Sequence, residues 1–456
     1  MRLPIPLGSY KRNAAYLPQL YLRNLMLEKT PSTDEGIILM SRPGLAISAT
    51  VGGNSPIVAI YLSDGLFNGK TIALSGNTFY VGATAVGSLT SPASPLARFA
   101  AMNAQLICCN ANVLYRTDGI VLSQPVFPGA AGVSAVTAFD GYFIAALTNS
   151  ARFYWSAVND ATSWPVLNFA TAESHPDNLL DVLVINDQLA LLGQESIEFW
   201  QPNPSGDANL PFTRINGLTY SKGVLNTGAA VYADNTLVWV GNDGIVYRRG
   251  SVPQRISDHG IEEQIQEAGT ARLFTFNWVG HVLLAIALPN QTLIYDFSTG
   301  QWSEFSTYGF LGWRAQCGVA NGEVPVFGDS TGPNVLTLSN AAINDAGNIV
   351  ERHFSAATPD RTIINNISLD AQSGIGSGPN GSAIIIEMRL SRDGGQTFGP
   401  WLQSNLGVRG QYRKRAVWRR LGSYDIGAQI EFRTTDDSMF SVQSVRMNEP
   451  LSGRAR

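Results

Sequence analysis

The sequence is poor in histidine and cysteine, the residues that build most metal sites and many nucleophile sites. The four histidines show no HxxxH-type spacing, which disfavours a metal site built on His175, His259, His281 and His353. Three cysteines cannot form a disulfide framework, and the adjacent Cys108 and Cys109 cannot easily pair with each other. Both lie in an apolar run, so we predict that they are buried strand residues.

Charged residues are also scarce, at 14% of the chain against 45% hydrophobic residues. This composition is typical of a well-buried globular protein, and a length of 456 residues suggests two or three domains. The net charge of −4 argues against stable non-specific DNA binding, which relies on many Lys and Arg residues that neutralise phosphates. It is compatible with duplex DNA that passes the protein without being held.

Long apolar runs are missing as well. No run of about 18 apolar residues occurs, so the sequence predicts no membrane span. The first residues, Met1 to Pro6, show no apolar stretch of the signal-peptide kind. We therefore expect the protein to be made and assembled in a cytoplasm.

Catalytic motifs are sparse. The sequence has no GxxxxGK[ST] phosphate loop, and its single GxSxG match, Gly328–Gly332 (GDSTG), lies between two apolar runs of the β repeats and not in a strand-to-helix turn. Two acids and a histidine meet in Glu173–Asp177, but Pro176 makes this segment a rigid turn, and no nucleophile–base pair lies nearby in the sequence. We assign no catalytic residue, no cofactor and no metal, and we expect that the protein is not an enzyme.

The sequence does have a regular β cadence. An apolar run, a small polar turn and a second apolar run recur seven times, and the second runs close 35 to 48 residues apart, at Tyr80, Tyr115, Tyr154, Phe199, Tyr247, Tyr295 and Leu338. Turns such as Ser75-Gly76-Asn77 hold residues that accept positive φ or bond to the backbone, as tight hairpins require. A hairpin repeated at this spacing is typical of a β-propeller with one sheet per repeat. The cadence predicts six or seven blades.

The sequence outside the repeats predicts further parts of an all-β protein. Residues 1–45 form an N-terminal arm and lead-in strand, part of a platform, in which another domain or subunit must bury Tyr16, Leu20, Tyr21, Leu22, Leu25 and Leu27. Residues 46–339 form the propeller, with one short helix within Ser257–Gly269. Residues 340–350 are a polar connector, and residues 351–456 predict an antiparallel β-sandwich or barrel, the platform domain.

One local motif in the last part resembles the Asp box of sialidases and several other β folds, with Ser391, Asp393, Gly395, Thr397 and Phe398 in SRDGGQTF. Asp393 can accept hydrogen bonds from backbone N–H groups of the turn, Gly395 can adopt unusual backbone angles, and Phe398 can pack beneath. A sialidase also needs an arginine trio and a Tyr–Glu nucleophile pair. A single box outside the repeats favours a structural turn over a glycosidase.

The segment from Arg409 to Arg420 interleaves basic and aromatic residues. On a strand over Gln411–Leu421, Arg413 and Arg415 would share one face. Such a segment can contact nucleic acid or be a plain solvated strand, but in an acidic chain it favours docking to an acidic protein surface. The candidate partner or subunit interface consists of Arg413, Lys414, Arg415, Trp418, Arg419 and Arg420.

Several segments, taken in order, resemble a known family. They are Ser41–Leu45 (SRPGL), Glu173–Asp177 (ESHPD) with Gly193–Trp200 (GQESIEFW), Tyr220–Gly223 (YSKG), Leu293–Asp296 (LIYD) with Trp302, and Tyr412–Gly422 (YRKRAVWRRLG). Their order, with SRDGGQTFG just before the basic Trp segment, is similar to that in the tail-hub proteins of short-tailed bacteriophages of the Salmonella-podovirus type. These proteins are also called nozzle, tail accessory or packaged-DNA-stabilisation proteins, and the resemblance covers about residues 40–446.

The resemblance implies a structural protein of the virion tail. Such a protein docks below the portal–adaptor assembly, extends the DNA channel, helps to retain packaged DNA and carries the tail plug or needle. The implied state is a homo-oligomer, a hexameric ring. Its implied partners are the adaptor ring, the needle, plug or distal tail protein, tail fibres or spikes, and viral duplex DNA in transient passage.

Two alternatives stay open at this point. A receptor- or glycan-binding propeller would show exposed Trp and Tyr side chains in its loops, whereas Trp200, Trp239, Trp302 and Trp418 lie within or near strand patterns, which favours core packing. A sialidase-like glycosidase would gather several arginines and a Tyr–Glu pair in one pocket.

Overall fold

The computed structural model describes residues 1–6, 8–11, 19–31, 36–173, 175–207, 209–321, 324–358, 361–378, 380–439 and 441–449. Strands dominate these residues, which confirms the all-β prediction. Contacts divide the chain into two compact units. Unit 1 comprises Met1–Ala46, Gln291–Trp313 and Leu338–Arg456, and unit 2 comprises Ile47–Asn290 and Arg314–Thr337.

Five short strands begin the chain: β1 (Arg2–Leu3), β2 (Leu22–Arg23), β3 (Leu25–Lys29), β4 (Ile37–Ser41) and β5 (Gly44–Thr50).

Unit 2 is a succession of antiparallel four-stranded sheets, built from strands that are adjacent in sequence. Sheets 1 to 3 contain β6 (Ile57–Tyr61), β7 (Ile72–Ser75), β8 (Thr78–Val81), β9 (Thr84–Ser88); β10 (Arg98–Met102), β11 (Gln105–Asn110), β12 (Val113–Thr117), β13 (Leu122–Ser123); and β14 (Val133–Phe139), β15 (Tyr142–Leu147), β16 (Arg152–Trp155), β17 (Phe169–Thr171). Sheets 4 and 5 contain β18 (Leu179–Ile185), β19 (Gln188–Gly193), β20 (Ile197–Pro202), β21 (Phe212–Tyr220); and β22 (Ala230–Ala233), β23 (Thr236–Val240), β24 (Val246–Arg248), β25 (Gln254–Arg255).

A single α-helix occurs among the described residues, α1 (His259–Ala268), after sheet 5. The Asp258 side chain accepts hydrogen bonds from the N–H groups of Gly260 and Ile261, and Gly269 ends the helix at a φ of 66°. This confirms the helix predicted within Ser257–Gly269. No helix in the described part of the chain is long and apolar enough to cross a membrane.

The remaining strands of unit 2 give two further sheet positions. The hairpin of β26 (Arg272–Trp278) and β27 (His281–Leu288) is the sixth, and β30 (Ala315–Asn321), β31 (Val324–Asp329), β32 (Asn334–Ser339) and β5 form the seventh. Strand β5 thus joins the last sheet although it precedes the first, a closure that removes exposed sheet edges. The described residues of unit 2 therefore supply seven successive sheet positions.

The core of unit 2 lies between consecutive sheets. Cys108 and Cys109 in β11 show this arrangement, because adjacent strand residues point to opposite faces of a sheet. Cys108 packs with Leu74 and Phe79 of sheet 1, and Cys109 packs with Val136 and other residues of sheet 3. Both thiols are free and buried, which confirms the prediction from their apolar run.

Ionic contacts also join first strands of sheets that are distant in sequence. The Asp181 carboxylate in β18 accepts hydrogen bonds from Arg98 Nε in β10, at 3.0 and 3.1 Å, and from the N–H of Gly228 at 3.0 Å. Arg98 also donates to the Ala230 carbonyl, 3.1 Å away. Sheets 2, 4 and 5 are therefore tied together where their first strands converge.

Unit 1 contains two sheets. Its other strands are β28 (Gln291–Asp296), β29 (Gln301–Phe305), β33 (Arg352–Ala357), β34 (Thr362–Ala371), β35 (Ile385–Ser391), β36 (Leu402–Asn405), β37 (Ala416–Tyr424), β38 (Gln429–Thr434) and β39 (Ser441–Met447). One sheet has the order β3-β4-β39-β34-β37, with β1 paired to β39, and the other runs β28-β29-β2-β33-β38-β35-β36.

The N-terminal strands are integral to unit 1. Leu22, Leu25 and Leu27 are buried in a core that also holds Phe432 and Val445 from the C-terminal strands. Strand β2 lies between β29 and β33, pairing parallel to the first and antiparallel to the second. Three apolar residues of the predicted arm are thus covered by the same chain, whereas Leu20 and Tyr21 are only partly buried and Tyr16 lies outside the described residues.

Candidate functional site

The basic segment lies at the beginning of an edge strand in unit 1. Strand β37 begins at Ala416, so Arg413, Lys414 and Arg415 precede it in a turn, and the predicted strand over Gln411–Leu421 begins five residues too early. The turn is fixed to a neighbouring loop, because Ser373 Oγ donates to the Tyr412 carbonyl at 2.9 Å. The predicted common face of Arg413 and Arg415 therefore does not arise from strand alternation.

A β-bulge places two adjacent arginines outward on this strand. The partners of Ile364 and Asn366 in β34 are Gly422 and Arg419, so β37 contains one extra residue. Arg420 takes up that residue with a φ of 61°, a left-handed conformation that is uncommon for residues with a side chain. Strict alternation would turn Arg420 toward the core with Trp418, whereas the bulge leaves Arg419 and Arg420 both exposed.

Trp418, the aromatic residue of the predicted interface, is buried within its own chain. Its side chain is only 4% exposed and belongs to the core of unit 1. The indole Nε1 donates to the Leu402 carbonyl at 2.7 Å, and the ring centroid lies 5.7 Å from that of Phe432. Alternation along the strand put Trp418 with Ala416 on the inner face, and burial of that face depends on pairing with β34.

Arg415 is engaged within its own chain. Its guanidinium lies 3.6 Å from Asp370 Oδ2 and 3.5 Å from Glu449 Oε2, and Arg446 pairs with the same two carboxylates at 3.5 and 2.6 Å. Local sequence inspection missed Asp370, Arg446 and Glu449, because they are distant in the sequence and meet only through the pairing of β34 with β39. Arg446 holds the pKa of Glu449 below its usual range by hydrogen bonding, against a smaller effect of burial.

Four cations of the segment remain at the surface. Arg413, Lys414, Arg419 and Arg420 are exposed, and none forms an ion pair with another described residue. Tyr412 beside them is 71% exposed. Residues 392–424 hold seven Lys and Arg residues and one Asp, a net charge of +6 in a chain whose total is −4. We call Tyr412, Arg413, Lys414, Arg419 and Arg420 the basic surface.

The Asp-box residues form a closed turn in the connection from β35 to β36. Asp393 Oδ1 accepts from Ser391 Oγ at 2.7 Å and from the Thr397 N–H at 2.9 Å, and Thr397 Oγ1 donates to Oδ2 at 2.6 Å. These hydrogen bonds, first those of Thr397, lower the pKa of Asp393 well below its usual range. Gly395 has a φ of 98°, and Phe398 stacks at 4.4 Å on the Arg389 guanidinium. Every polar atom named here is satisfied within the turn, which suits a structural element.

The acidic segment before sheet 4 also serves the backbone. Asp177 Oδ2 accepts from the N–H groups of Glu195 and Ser196, at 2.8 and 2.9 Å. No group of three or more His, Cys, Asp or Glu side chains is placed to hold a metal ion in the described ranges. Trp200, Trp239 and Trp302 are buried, which confirms the predicted core packing and removes them as stacking platforms for a sugar.

Comparison with protein families gives two matches that together span the chain. Residues 1–343 match the model described as bacteriophage P22 Gp10, beta-propeller, and residues 352–449 match the model described as bacteriophage P22 Gp10, beta-sandwich. No curated protein matches the chain in sequence.

Solved structures similar to the chain share little sequence with it. BBS1N, in a complex with ARL6DN, is 8% identical with a TM-score of 0.43, and the match covers 66% of this chain and 98% of that one. PorZ of Porphyromonas gingivalis is 11% identical with a TM-score of 0.40, covering 71% of this chain and 44% of PorZ. Raptor of Chaetomium thermophilum is 10% identical with a TM-score of 0.41, covering 66% of this chain and 29% of Raptor. The chain therefore spans less than half of the last two proteins.

Proposed function

The chain belongs to the bacteriophage P22 Gp10 family and is a structural protein of a phage tail, and we propose that it forms the tail hub. In this role it docks below the portal–adaptor assembly, extends the DNA channel, helps to retain packaged DNA and carries the plug or needle. The family matches along residues 1–343 and 352–449 are the observation that carries the proposal. We further propose assembly in the host cytoplasm as a homo-oligomeric ring.

The architecture of each unit suits a load-bearing wall. In unit 2, strand β5 closes the last sheet and Arg98 ties three first strands through Asp181 and Ala230. Closed sheets of this kind leave few free edges and deform little. The core of unit 1 joins side chains from two distant chain segments, Leu3 to Leu39 and Phe354 to Met447, so local unfolding of one segment must disrupt the other.

We propose that residues 1–45 and 351–456 supply the platform that grips the tail above, with residues 46–339 as the propeller and 340–350 as the connector. The basic surface is the proposed partner or subunit interface. None of its four cations forms an ion pair with a carboxylate among the described residues, so carboxylates of a partner can neutralise them. Arg415 supports the surface through Asp370 and Glu449 rather than as a contact residue.

Mass measurement of the purified full-length protein, alone and with an adaptor ring, tests the proposal. We expect several copies to associate into a ring, and this ring to co-migrate with the adaptor when the adaptor is present. A chain that stays monomeric and ignores the adaptor would contradict the tail-hub role. Arg361→Glu is a matched charge control for variants of the basic surface, because Arg361 is exposed and pairs only at 3.5 Å with the exposed Asp425.

A further inference from the structure

One end of sheets 2 to 5 in unit 2 is acidic. In antiparallel sheets the connections from strand 1 to 2 and from strand 3 to 4 lie at the same end, and the first strands of a propeller run in one direction. These connections hold one cation, Arg249, and six aspartates, which are Asp118, Asp140, Asp160, Asp187, Asp207 and Asp234. We call this end the acidic face.

Contacts between neighbouring sheets show that these connections lie side by side. Asn103 Nδ2 of sheet 2 donates to Asn159 Oδ1 of sheet 3 at 2.7 Å, and Asn186 Nδ2 of sheet 4 donates to the Asn235 carbonyl of sheet 5 at 3.2 Å. The two-residue turns Asp140-Gly141, Asn186-Asp187 and Asp234-Asn235 have positive φ at both positions, and their aspartates recur at an interval of 47 residues. Phe139 at the end of β14 and Phe212 at the start of β21 stack with ring centroids 5.5 Å apart, which joins sheets 3 and 4 at the same end, so the acidic face is one continuous surface.

Exposed aliphatic side chains share the same connections. Ile120 is 79% exposed and Leu167 84% exposed, and both lie in the connection from strand 3 to 4 of their sheets. The exposed aliphatic residues here are Ile120, Val121, Val158, Val166, Leu167 and Leu210. Apolar side chains that cluster with charges at a surface mark protein interfaces.

Three acids at the opposite end of these sheets are engaged within the chain. Asp177 accepts from backbone N–H groups, Asp243 pairs with Lys222 at 2.9 Å, and Glu262 Oε1 accepts from Arg255 Nε at 2.6 Å. On the acidic face, by contrast, Asp140 and Asp187 are exposed and form no ion pair with any residue that the structure describes. Exposed carboxylates therefore occur at both ends, as Glu173 and Glu195 show at the opposite one, and the acidic face is distinguished by the exposed aliphatic side chains beside its aspartates.

We infer that the acidic face binds the basic surface of a second copy of this chain. Charge complementarity carries the choice of partner: residues 392–424 carry +6, whereas Ile47–Asn290 and Arg314–Thr337 together hold 11 Lys and Arg against 19 Asp and Glu, a net charge of −8. Tyr412 is the aromatic residue that contacts the exposed aliphatic side chains. The inference rests on the proposed function, because it names the contact that joins copies in the ring.

This contact is heterologous, with two different surfaces meeting. An isologous contact with its two-fold axis through either surface would place like charges on like charges, which costs affinity, whereas a head-to-tail contact pairs opposite charges and can continue into a ring. A membrane surface fits the acidic face poorly, because anionic head groups attract basic segments. Duplex DNA fits the basic surface alone and leaves the acidic face unexplained.

Site-directed cross-linking of the full-length protein tests the contact. The three native cysteines are buried, so Tyr412→Cys and Leu167→Cys supply the reactive thiols for a short bismaleimide. With both substitutions in one chain we expect a ladder that extends to the closed ring. Each single variant is expected to give no ladder. Dimers formed by Tyr412→Cys alone, or assembly of the double variant without a ladder, would overturn the inference.

Charge variants supply an independent measurement. We expect Arg413→Glu with Lys414→Glu to weaken self-association roughly tenfold in sedimentation experiments. Asp140→Asn with Asp187→Asn keeps residues that form turns readily, and we expect it to weaken self-association less than Arg413→Glu with Lys414→Glu does. In a protein that already carries the two Asn substitutions, the two Glu substitutions should weaken self-association by less than they do in wild type. Arg361→Glu is the control and should leave self-association unchanged.

The outcomes separate this inference from the tail-hub role. If the basic reversal weakens duplex-DNA binding but not self-association, or if the two pairs of substitutions act additively, the inference is wrong. If the variants still bind an adaptor ring while self-association falls, the inference stands and the docking site lies elsewhere. A wild-type protein that does not bind an adaptor ring would contradict the tail-hub role but not this inference, because cross-linking between copies does not require the adaptor.

Discussion

At the scale of single residues, Arg420 shows how a surface charge is obtained at a cost to the backbone. Its φ of 61° is one that glycine adopts freely and that a side chain makes unfavourable by about 1 kcal/mol. We therefore predict that Arg420→Gly leaves the free energy of unfolding equal to wild type or about 1 kcal/mol higher, while weakening assembly. Urea unfolding and sedimentation measure the two effects separately.

Arg419→Gly is the matched control for that prediction. Arg419 is equally exposed and is not among the positive-φ residues, so glycine there only adds freedom to the unfolded chain. We expect a loss of about 1 kcal/mol in the free energy of unfolding. Equal stability changes at the two positions would show that the bulge does not strain Arg420.

Arg42 is a buried charged residue whose ion pair contributes to the stability of the fold. It is fully buried, with its Nη1 and Nη2 at 2.9 and 2.7 Å from the two carboxylate oxygens of Asp345. Nε donates to Asn24 Oδ1 at 2.8 Å, and the guanidinium lies over Trp313 at 5.5 Å. A buried cation without its carboxylate is strongly unfavourable, so Asp345→Ala should lower the free energy of unfolding by about 3–5 kcal/mol.

Asp425→Ala provides the comparison for Asp345→Ala in the same denaturation experiment. Its partner Arg361 and Asp425 itself are both largely exposed, at 84% and 85%. Exposed ion pairs contribute little to stability, so we expect Asp425→Ala to change the free energy of unfolding by no more than about 0.5 kcal/mol. A similar loss in both variants would mean that burial does not determine the contribution of these ion pairs.

At the scale of elements, strand β2 depends on a buried carboxylate. Glu304 in β29 binds Lys11 Nζ at 2.6 Å and Arg23 Nε at 3.0 Å. Burial raises the pKa of Glu304, but Lys11 and Arg23 outweigh it, so that the pKa lies below its ordinary value of 4.5. A lowered pKa stabilises the fold above that ordinary value, and the stabilisation is lost as the pH falls through the lowered pKa.

The pH dependence of the stability of Glu304→Gln tests the role of Glu304 as the partner of Lys11 and Arg23. At neutral pH the variant should be about 1–2 kcal/mol less stable, because it leaves the partly exposed Lys11 and Arg23 without a counter-charge. On acidification below 4.5, wild type should lose stability more steeply than the variant. Urea unfolding along a pH series measures both slopes, with the exposed Glu195→Gln as control, and parallel curves for wild type and Glu304→Gln would refute the assignment.

The elements differ in how far the sequence predicts them. Turn chemistry is local, so the hairpins of unit 2 and the caps of α1 follow from residues such as Asp258 and Gly269. Strand β2 was not predictable in its place, because it pairs with β29 and β33 about 280 to 330 residues away. The composition of the segment predicted the basic surface. Its bulge and the burial of Trp418 were not predictable, because they follow from the register in which β37 pairs with β34, and this register cannot be read from the sequence.

At the scale of the whole molecule, net charge governs how the protein meets duplex DNA. Unit 2 is acidic, with a net charge of −8, whereas the basic surface of unit 1 exposes four cations that form no ion pair with another described residue. Each neutralised phosphate contributes about −0.9 to the slope of log K against log salt, so four cations allow a slope of at most about −4. We predict that a short duplex binds at low salt only, with a dissociation constant weaker than about 10⁻⁴ M at physiological salt.

Fluorescence anisotropy with a labelled duplex measures this slope directly. Arg413→Glu with Lys414→Glu should reduce its magnitude by about 2, whereas Arg361→Glu should change it by less than 1. Micromolar binding at physiological salt would contradict the prediction and favour a wall that grips DNA. In the proposed tail hub, such weak binding would leave the retention of DNA to a closure below the channel, not to adhesion to its wall.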